Sequence, residues 1–269
     1  MADKMKFSYL YGPVASWRLG SSLGIDPISK KEKICSYGCV YCQLGVSGMR
    51  TLERKIYIPT AEIIEEVKQI PPDVKIDYIT LSGRGEPTLA ENLGEIIKAI
   101  RRVRNEKIAV ITNASLIDRE DLREELGLAD LVMAKLDAAD QASFEKVNKP
   151  VKGLEFEVMF EGIREFSRKW RDKLAIQMMF LPANRFLYKE LAEKAYDISP
   201  REIQINTPLR ECGVKPLSSK ELDEITAYFK KIREIRGLEV RIISVYEKTP
   251  EKVKSISAAD TLRRRGKKV

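Results

Sequence analysis

The chain has 269 residues, with no histidine and only four cysteines. Histidine is the commonest protein ligand for metals and the side chain that most readily changes charge near neutral pH. Its absence excludes Ser-His-Asp and Cys-His catalytic arrangements, so proton transfers must use Lys, Asp, Glu, Tyr, Cys or water. Four cysteines in a chain this long are also a poor fit to a disulfide scaffold.

Long apolar segments are missing as well. No run of 18 uncharged apolar residues occurs, so a membrane span and a membrane partner are not expected. The segment 1–6 lacks the apolar core of a secretory signal. We therefore expect a protein of the reducing cytoplasm.

Positive charge is concentrated at one end of the sequence. The formal net charge is +8, and residues 263–268 supply five of the positive charges. A basic tail attracts nucleic acid through the phosphate backbone. A solvated terminus without a partner would have the same composition, so both interpretations stay open.

The most informative feature is the spacing C-x3-C-x2-C formed by Cys35, Cys39 and Cys42. Three thiolates this close can hold three irons of a [4Fe–4S] cluster, which leaves one iron free to bind a ligand. An electron carrier normally fills all four positions with cysteine. A zinc site would need a fourth ligand, and the other cysteine, Cys212, lies far along the chain.

After the cysteines, strand-like and helix-like segments alternate, which is typical of a parallel sheet covered by helices. A first strand or small hairpin is predicted within 19–28. Further strands are predicted at 76–82, 107–113, 130–137, 173–180, 202–207 and 239–245, and helices from residue 60, at 93–103, 118–126, 154–170 and 187–195, and from a capping box at 218–221. The resulting six βα units predict an α/β partial (βα)6 barrel with short N- and C-terminal extensions. Residues 1–236 would form the barrel with its N-terminal extension, and 237–269 a C-terminal strand and the basic tail.

Ligands of parallel α/β folds bind beyond the carboxyl ends of the strands. One such end carries Gly83, Arg84, Gly85 and Glu86. The two glycines would let the backbone approach a ligand closely, and Glu86 could accept hydrogen bonds from an ammonium group. An ordinary turn would look the same, so this segment becomes specific only together with the cysteines.

The sequence resembles the radical S-adenosylmethionine (SAM) superfamily in two segments. The first is the cysteine motif, in which Tyr41 fills the aromatic position of C-x3-C-x-aromatic-C, and the second is the Gly-Arg-Gly-Glu segment. The resemblance implies that SAM chelates the open iron through its amino and carboxylate groups. It also implies that the reduced cluster cleaves the sulfonium to methionine and a 5′-deoxyadenosyl radical, which abstracts hydrogen from a substrate. A ferredoxin- or flavodoxin-type protein is the electron donor expected for such an enzyme.

More narrowly, the segments 11–14, 18–20, 22–27 and 42–45 resemble a group of mostly archaeal and bacterial radical SAM proteins. Wyosine-base synthases of tRNA modification are relatives of that group, and the resemblance covers roughly residues 10–210. Those synthases use further N-terminal cysteines for a second cluster. No cysteine precedes Cys35, so wyosine-base synthesis itself is not expected.

Polar residues at the other strand ends are the remaining candidates for the site. Strand periodicity places Thr80 and Ser82 on one face and pairs Lys135 with Asp137 on another strand. Since helix-facing surfaces should be apolar, the polar side chains should point into the barrel. We predict catalytic roles for Lys135 and Asp137, and SAM contacts for Tyr41, Gly83, Arg84, Gly85, Glu86, Asn113, Gln177 and Asn206. Lys135, Asp137, Gln177 and Asn206 could instead merely satisfy one another, and Asn113 could be a turn residue.

Cys212 follows the strand at 202–207 and should lie at the rim of the same face. It is the third catalytic candidate, as a hydrogen-atom donor or a thiol that handles substrate. It could equally be a small loop residue. Arg210, two residues earlier, could pair with a substrate carboxylate or phosphate.

Three functions remain compatible with the sequence. The leading hypothesis is a radical SAM enzyme that acts on RNA, particularly tRNA. The second is an activase that makes a glycyl radical on a partner protein. The third is a non-enzymatic iron–sulfur electron carrier, which would not cleave SAM.

Overall fold

A computed structural model describes residues 7–247, 252, 253, 255 and 256. The chain begins with an antiparallel hairpin of β1 (Leu10–Ser16) and β2 (Gly20–Ile25). A short parallel pair, β3 (Ile34–Cys35) and β4 (Met49–Arg50), follows in the cysteine segment. The remaining strands are β5 (Tyr78–Leu81), β6 (Lys107–Thr112), β7 (Leu131–Lys135), β8 (Leu174–Met179), β9 (Glu202–Asn206) and β10 (Arg241–Ser244).

Helices connect these strands. They are α1 (Thr60–Lys68), α2 (Leu93–Val103), α3 (Glu120–Gly127), α4 (Gln141–Val147), α5 (Phe156–Trp170), α6 (Tyr188–Ile198) and α7 (Ser219–Ile235). In α1, Ile63, Ile64 and Val67 are buried on one face, as their spacing predicts. The capping box that opens α7 is present, because Ser218 accepts from the backbone of Glu221 and Glu221 bonds back to Ser218.

Within the described residues, the main sheet has eight strands in the order β1-β2-β5-β6-β7-β8-β9-β10. Every pair from β2 onward is parallel, so the carboxyl ends of β2 and β5 to β9 share one edge. Each of those six strands is followed by a helix. Side chains from β1, β2, β5, β7, β8 and β9 line one cavity, which requires the sheet to curl. The prediction of a partial (βα)6 barrel is confirmed.

The alternation of side chains along each strand separates core from lumen. In β5, Ile79 and Leu81 are fully buried in the core beneath the helices, whereas Thr80 and the adjacent Ser82 line the lumen. In β8, Ile176 and Met178 likewise join the core. This two-residue period places a polar face toward the lumen.

Two elements differ from the prediction. Helix α4 has no predicted counterpart, because it is only 7 residues long and shows a weak apolar pattern. Its start does carry a signal, a capping box between Asp140 and Ser143. The N-terminal strand is the second difference, since the hairpin begins at Leu10, earlier than the predicted segment.

The C-terminal region is only partly described. Strand β10 pairs in parallel with β9 and continues the sheet beyond the predicted boundary at residue 236. The basic residues 263–268 lie outside the described residues. In the described part of the chain, no helix has the length and apolar character that crossing a bilayer requires.

Candidate functional site

The cysteine segment is held by the end of α4 and the residues after it. The backbone N–H of Gly38 lies 3.1 Å from the Asn148 carbonyl oxygen and 2.9 Å from that of Lys149. The N–H of Val40 donates to the Val147 carbonyl at 3.0 Å. This strap, residues 147–151, therefore fixes the loop that presents the three thiols.

Two of the three thiols receive side-chain N–H donors. The Nδ2 atom of Asn113 lies 3.6 Å from the Cys35 sulfur, and that of Asn148 lies 3.7 Å from the Cys39 sulfur. Burial raises the pKa of Cys35 to about 12 and that of Cys39 to about 11. Protonated thiols are poor metal ligands, so metal binding would release their protons.

These residues fit an iron–sulfur cluster by their chemistry. Three thiols stand on one short loop, and N–H donors to cysteine sulfur are among the features that tune cluster potential. Within the described residues, no three Cys, Asp or Glu side chains form a site for a single metal ion. The thiols of a cluster site stand further apart than those of a single-ion site, since each binds a different iron.

The Gly-Arg-Gly-Glu segment packs against the cysteine loop. A Cβ atom on Gly85 would lie 1.8 Å from the carbonyl oxygen of Ile34, and one on Gly83 would lie 2.1 Å from the Asp26 carboxyl carbon. The N–H of Glu86 also donates to the Ile34 carbonyl at 3.0 Å. Both glycines therefore allow close packing within the protein, and the predicted close approach of a ligand to this segment stays a prediction.

Glu86 joins two neighbouring strand ends. Its carboxylate accepts from the Thr112 hydroxyl at 2.6 Å and from the Asn113 N–H at 2.7 Å, and also from the N–H and hydroxyl of Thr88. Burial raises its pKa, and these hydrogen bonds oppose the rise. The carboxylate thus holds the ends of β5 and β6 beside the cysteine loop. Its predicted contact with the SAM amino group stays a prediction.

The lumen forms a cavity of about 530 Å³, within the range usual for small-molecule sites. Its lining includes Cys42 at the carboxyl end of the sheet and several of the predicted residues, namely Tyr41, Gly83, Lys135, Gln177 and Asn206. Of the described residues, the lining does not include Arg84, Gly85, Glu86, Asn113, Asp137 or Cys212. The Asn113 side chain instead donates to Ser36 at 2.8 Å, toward the cysteine loop.

Several polar side chains of the predicted cluster lie side by side on neighbouring strands. Lys135 Nζ lies 3.3 Å from Asp137 Oδ1 and 3.4 Å from the side-chain oxygen of Gln177. Gln177 in turn donates to Gln204 at 3.1 Å. These side chains satisfy one another, and of the four only Lys135 and Gln177 also border the cavity. Their predicted roles toward SAM and substrate stay predictions.

Asp137 lies behind the cavity wall. Its carboxylate is fully buried and accepts from the hydroxyl of Tyr41, from Asn148 Nδ2 at 2.9 Å and from the Met179 N–H at 2.8 Å. The pKa of Tyr41 is raised, first by burial and then by the Asp137 charge. Asp137 thus connects the cysteine loop, the strap and two strands. The sequence had predicted that its side chain points into the lumen.

Cys212 lies in the loop after β9, which packs on the cysteine loop. Arg210 Nη1 donates to the side-chain oxygen of Gln43 at 2.9 Å, and Gly213 approaches the Val40 carbonyl. The Cys212 thiol donates to the Val214 carbonyl at 3.3 Å. The cysteine therefore stands near the rim, as predicted, but outside the cavity lining of the described residues.

Several residues of the site were not predicted. Asn148 contacts both Cys39 and Asp137, and its signal in the sequence is the turn-forming Asn-Lys-Pro at 148–150. Arg18 and Ser22 line the cavity from the hairpin, and Ser22 bonds Thr80 at 2.8 Å. Strand periodicity alone could not assign them, because the hairpin register was not predicted.

Comparison with known proteins adds a family and a fold. The sequence profile of the Radical SAM superfamily matches residues 33–195. UPF0026 protein slr1464 of Synechocystis sp. is 43% identical over 218 residues, which is 81% of this chain and 80% of the relative. UPF0026 protein MJ1312 of Methanocaldococcus jannaschii is 34% identical over 244 residues, which is 88% of this chain and 75% of the relative.

Solved structures share the fold at low sequence identity. SuiB of Streptococcus suis, bound to S-adenosylmethionine, superposes with a TM-score of 0.61 at 16% identity over 82% of this chain and 46% of its own. Archaeal TYW1 superposes with a TM-score of 0.54 at 14% identity over 78% and 71% of the two chains. These neighbours share the curled parallel sheet.

Proposed function

Because the chain belongs to the radical SAM superfamily, whose members are enzymes, we propose that it cleaves S-adenosylmethionine reductively to start a radical reaction. The observation that carries this proposal is the position of Cys42, which lines the same cavity as Lys135, Gln177 and Asn206. A thiol ligand of the cluster thereby borders a space large enough for SAM and part of a substrate.

Cys35, Cys39 and Cys42 would hold a [4Fe–4S] cluster. When bound, the cluster would supply the electron that splits SAM into methionine and a 5′-deoxyadenosyl radical. Asn113 and Asn148 orient two of the thiols through their N–H groups. Tyr41, Gly83, Gln177 and Asn206 border the cavity where SAM would bind. Contacts of Arg84, Gly85, Glu86 and Asn113 with SAM belong to the same proposal.

The remaining parts of the proposal concern the substrate, the electron donor, the cell compartment and the catalytic residues. The basic residues 263–268 of the sequence, and the resemblance to a group related to wyosine-base synthases, support tRNA as the substrate. A ferredoxin- or flavodoxin-type protein would deliver the electron, and a reducing cytoplasm would preserve the cluster. Catalytic roles for Lys135, Asp137 and Cys212 belong to the same proposal.

One anaerobic assay tests this function. Purified protein is reconstituted with iron and sulfide, reduced with dithionite and incubated with SAM, and 5′-deoxyadenosine and methionine are quantified by mass spectrometry. We expect both products, in equal amounts, without any added substrate. Absence of both products, with the cluster present and reduced, would leave an electron carrier as the better interpretation.

Adding tRNA to the same assay tests the substrate. We expect unmodified tRNA to raise 5′-deoxyadenosine formation and to yield a nucleoside of changed mass after digestion. An unmodified RNA hairpin of equal charge is the control for nonspecific stimulation. Unchanged product formation and unchanged nucleosides would remove tRNA from the proposal.

A further inference from the structure

Asn148 lies between a cysteine thiol and a buried carboxylate. Only 3% of the residue is exposed, and its Nδ2 atom lies 3.7 Å from the Cys39 sulfur and 2.9 Å from Asp137 Oδ2. A side-chain amide nitrogen carries two hydrogens, so it can donate to both partners at once. Because a thiolate and a carboxylate are both acceptors, the amide has one favourable orientation, with its nitrogen toward them.

The backbone of Asn148 is held as well. Its N–H donates to the Phe144 carbonyl at 2.9 Å, and its carbonyl accepts the N–H of Gly38 at 3.1 Å. The residue directly follows α4 and belongs to the strap that holds the cysteine loop. One residue therefore fixes the loop with its backbone and contacts the thiol with its side chain.

Asp137 continues these contacts to the cavity. Its Oδ1 atom lies 3.3 Å from Lys135 Nζ, and Lys135 lines the cavity. The Asp137 carboxylate is fully buried, whereas 11% of the Lys135 side chain is exposed. Three contacts, none longer than 3.7 Å, thus connect an ammonium group of the cavity wall with the Cys39 sulfur.

The other asparagine beside a thiol has different contacts. Asn113 Nδ2 lies 3.6 Å from the Cys35 sulfur and donates to the Ser36 hydroxyl at 2.8 Å. Within the described residues, neither Asn113 nor Ser36 lines the cavity. Of the two asparagines, Asn148 is the one whose side-chain contacts lead to Lys135.

Charge beside a ligand sulfur changes how readily an iron–sulfur cluster is reduced. Reduction adds negative charge, which an N–H donor to the sulfur stabilises and a neighbouring carboxylate destabilises. The Lys135 ammonium offsets the charge of Asp137. Removing either the Asn148 N–H or the Lys135 charge should therefore lower the reduction potential.

We propose that Asn148 is a positioning residue that couples the Lys135–Asp137 pair to the Cys39 thiolate, so that the charge in the cavity wall sets how readily the cluster is reduced. The inference rests on the proposed function, because it concerns the cluster of the same site. The step is a one-electron reduction, in which the ferredoxin- or flavodoxin-type donor is oxidised. A ligand whose acidic group binds Lys135 would draw the ammonium from Asp137 and make this reduction harder.

Redox titration of the anaerobic, cluster-containing protein without SAM tests the proposal, with the reduced fraction followed by electron paramagnetic resonance. Asn148→Leu keeps the size of the side chain and removes the N–H donor. We expect it to lower the ratio of reduced to oxidised cluster at a fixed potential at least about tenfold, a shift of about 59 mV for one electron. We expect Lys135→Met to lower the ratio at least about threefold. Arg168→Gln, which removes an exposed charge on α5, should leave it unchanged.

Double variants test the coupling itself. In the Asn148→Leu background we expect Lys135→Met to have little further effect, because the contact that carries the effect is gone. Asn113→Leu is the matched control, since it removes the N–H donor to Cys35, and Lys135→Met should keep its full effect there. Iron content and circular dichroism melting curves verify that each variant is loaded and folded. Asn148→Ala replaces the leucine variant if that variant does not hold its cluster.

The outcomes separate this inference from the proposed function. An unchanged potential in Asn148→Leu, or an undiminished effect of Lys135→Met in that background, would overturn the coupling even when SAM is cleaved. A coupling found in a protein that does not cleave SAM would support the inference and count against the proposed chemistry alone. A protein that takes up no cluster would overturn both.

Discussion

Replacing Cys39 with alanine should abolish both the iron–sulfur cluster and SAM cleavage. A [4Fe–4S] cluster held by three thiolates loses a third of its protein ligands, and the Cys39 sulfur also receives the Asn148 N–H. We expect iron and sulfide contents near background and 5′-deoxyadenosine formation lower by at least about a thousandfold, roughly 4 kcal/mol. Iron analysis, the visible spectrum and product quantification provide the measurements.

Cys212→Ala is the matched control for this prediction. Cys212 is the remaining cysteine of the chain, and its thiol bonds to the backbone of its own loop at Val214. We expect the Cys212 variant to retain the iron and sulfide contents of the wild type. Equal iron loss in both variants, or a full cluster in Cys39→Ala, would contradict the assignment of the three ligands.

Replacing Asp137 with alanine should have the largest effect on stability. Asp137 is fully buried, pairs with Lys135 and accepts from Asn148 and the Met179 backbone. Removing it leaves a largely buried ammonium group and several donors without an acceptor. We expect the free energy of unfolding to fall by about 3–5 kcal/mol, measured by chemical denaturation.

The pair variant Asp137→Ala/Lys135→Met tests the reason for that loss. It removes the unpaired charge together with its partner, so we expect it to be more stable than Asp137→Ala alone. Glu161→Ala serves as the control, since its ion pairs are exposed and should contribute less than about 1 kcal/mol. A stable Asp137→Ala that no longer cleaves SAM would contradict the structural role and support the catalytic role proposed for Asp137.

Much of the fold could be predicted because its signals are local. Alternating apolar strands and amphipathic helices mark the βα units, and the capping box at Ser218 marks the start of α7. The inward direction of Thr80, Gln177 and Asn206 also follows, since the two-residue period of a strand needs no knowledge of distant residues. Short α4 escaped prediction because 7 residues show too little periodicity.

The candidate site could be predicted only in part, because several of its contacts join distant segments. Asn148 reaches Cys39 across 109 positions of sequence, and Glu86 reaches Asn113 across the ends of two strands. Asp137 shares the strand period of Lys135, yet it lies just beyond β7, where the chain turns behind the wall. The need for glycine at position 85 also depends on tertiary structure, because a Cβ atom there would collide with the carbonyl oxygen of Ile34.

The most direct test of the central claim is spectroscopic. The reconstituted, reduced protein is frozen with SAM carrying ¹⁵N in its amino group, and electron–nuclear double resonance is recorded on the cluster signal. We predict a four-iron cluster whose signal shows coupling to the labelled nitrogen, because the three cysteines of the loop would leave one iron without a cysteine ligand. A cluster signal that is identical with and without SAM, and uncoupled to the label, would contradict the claim.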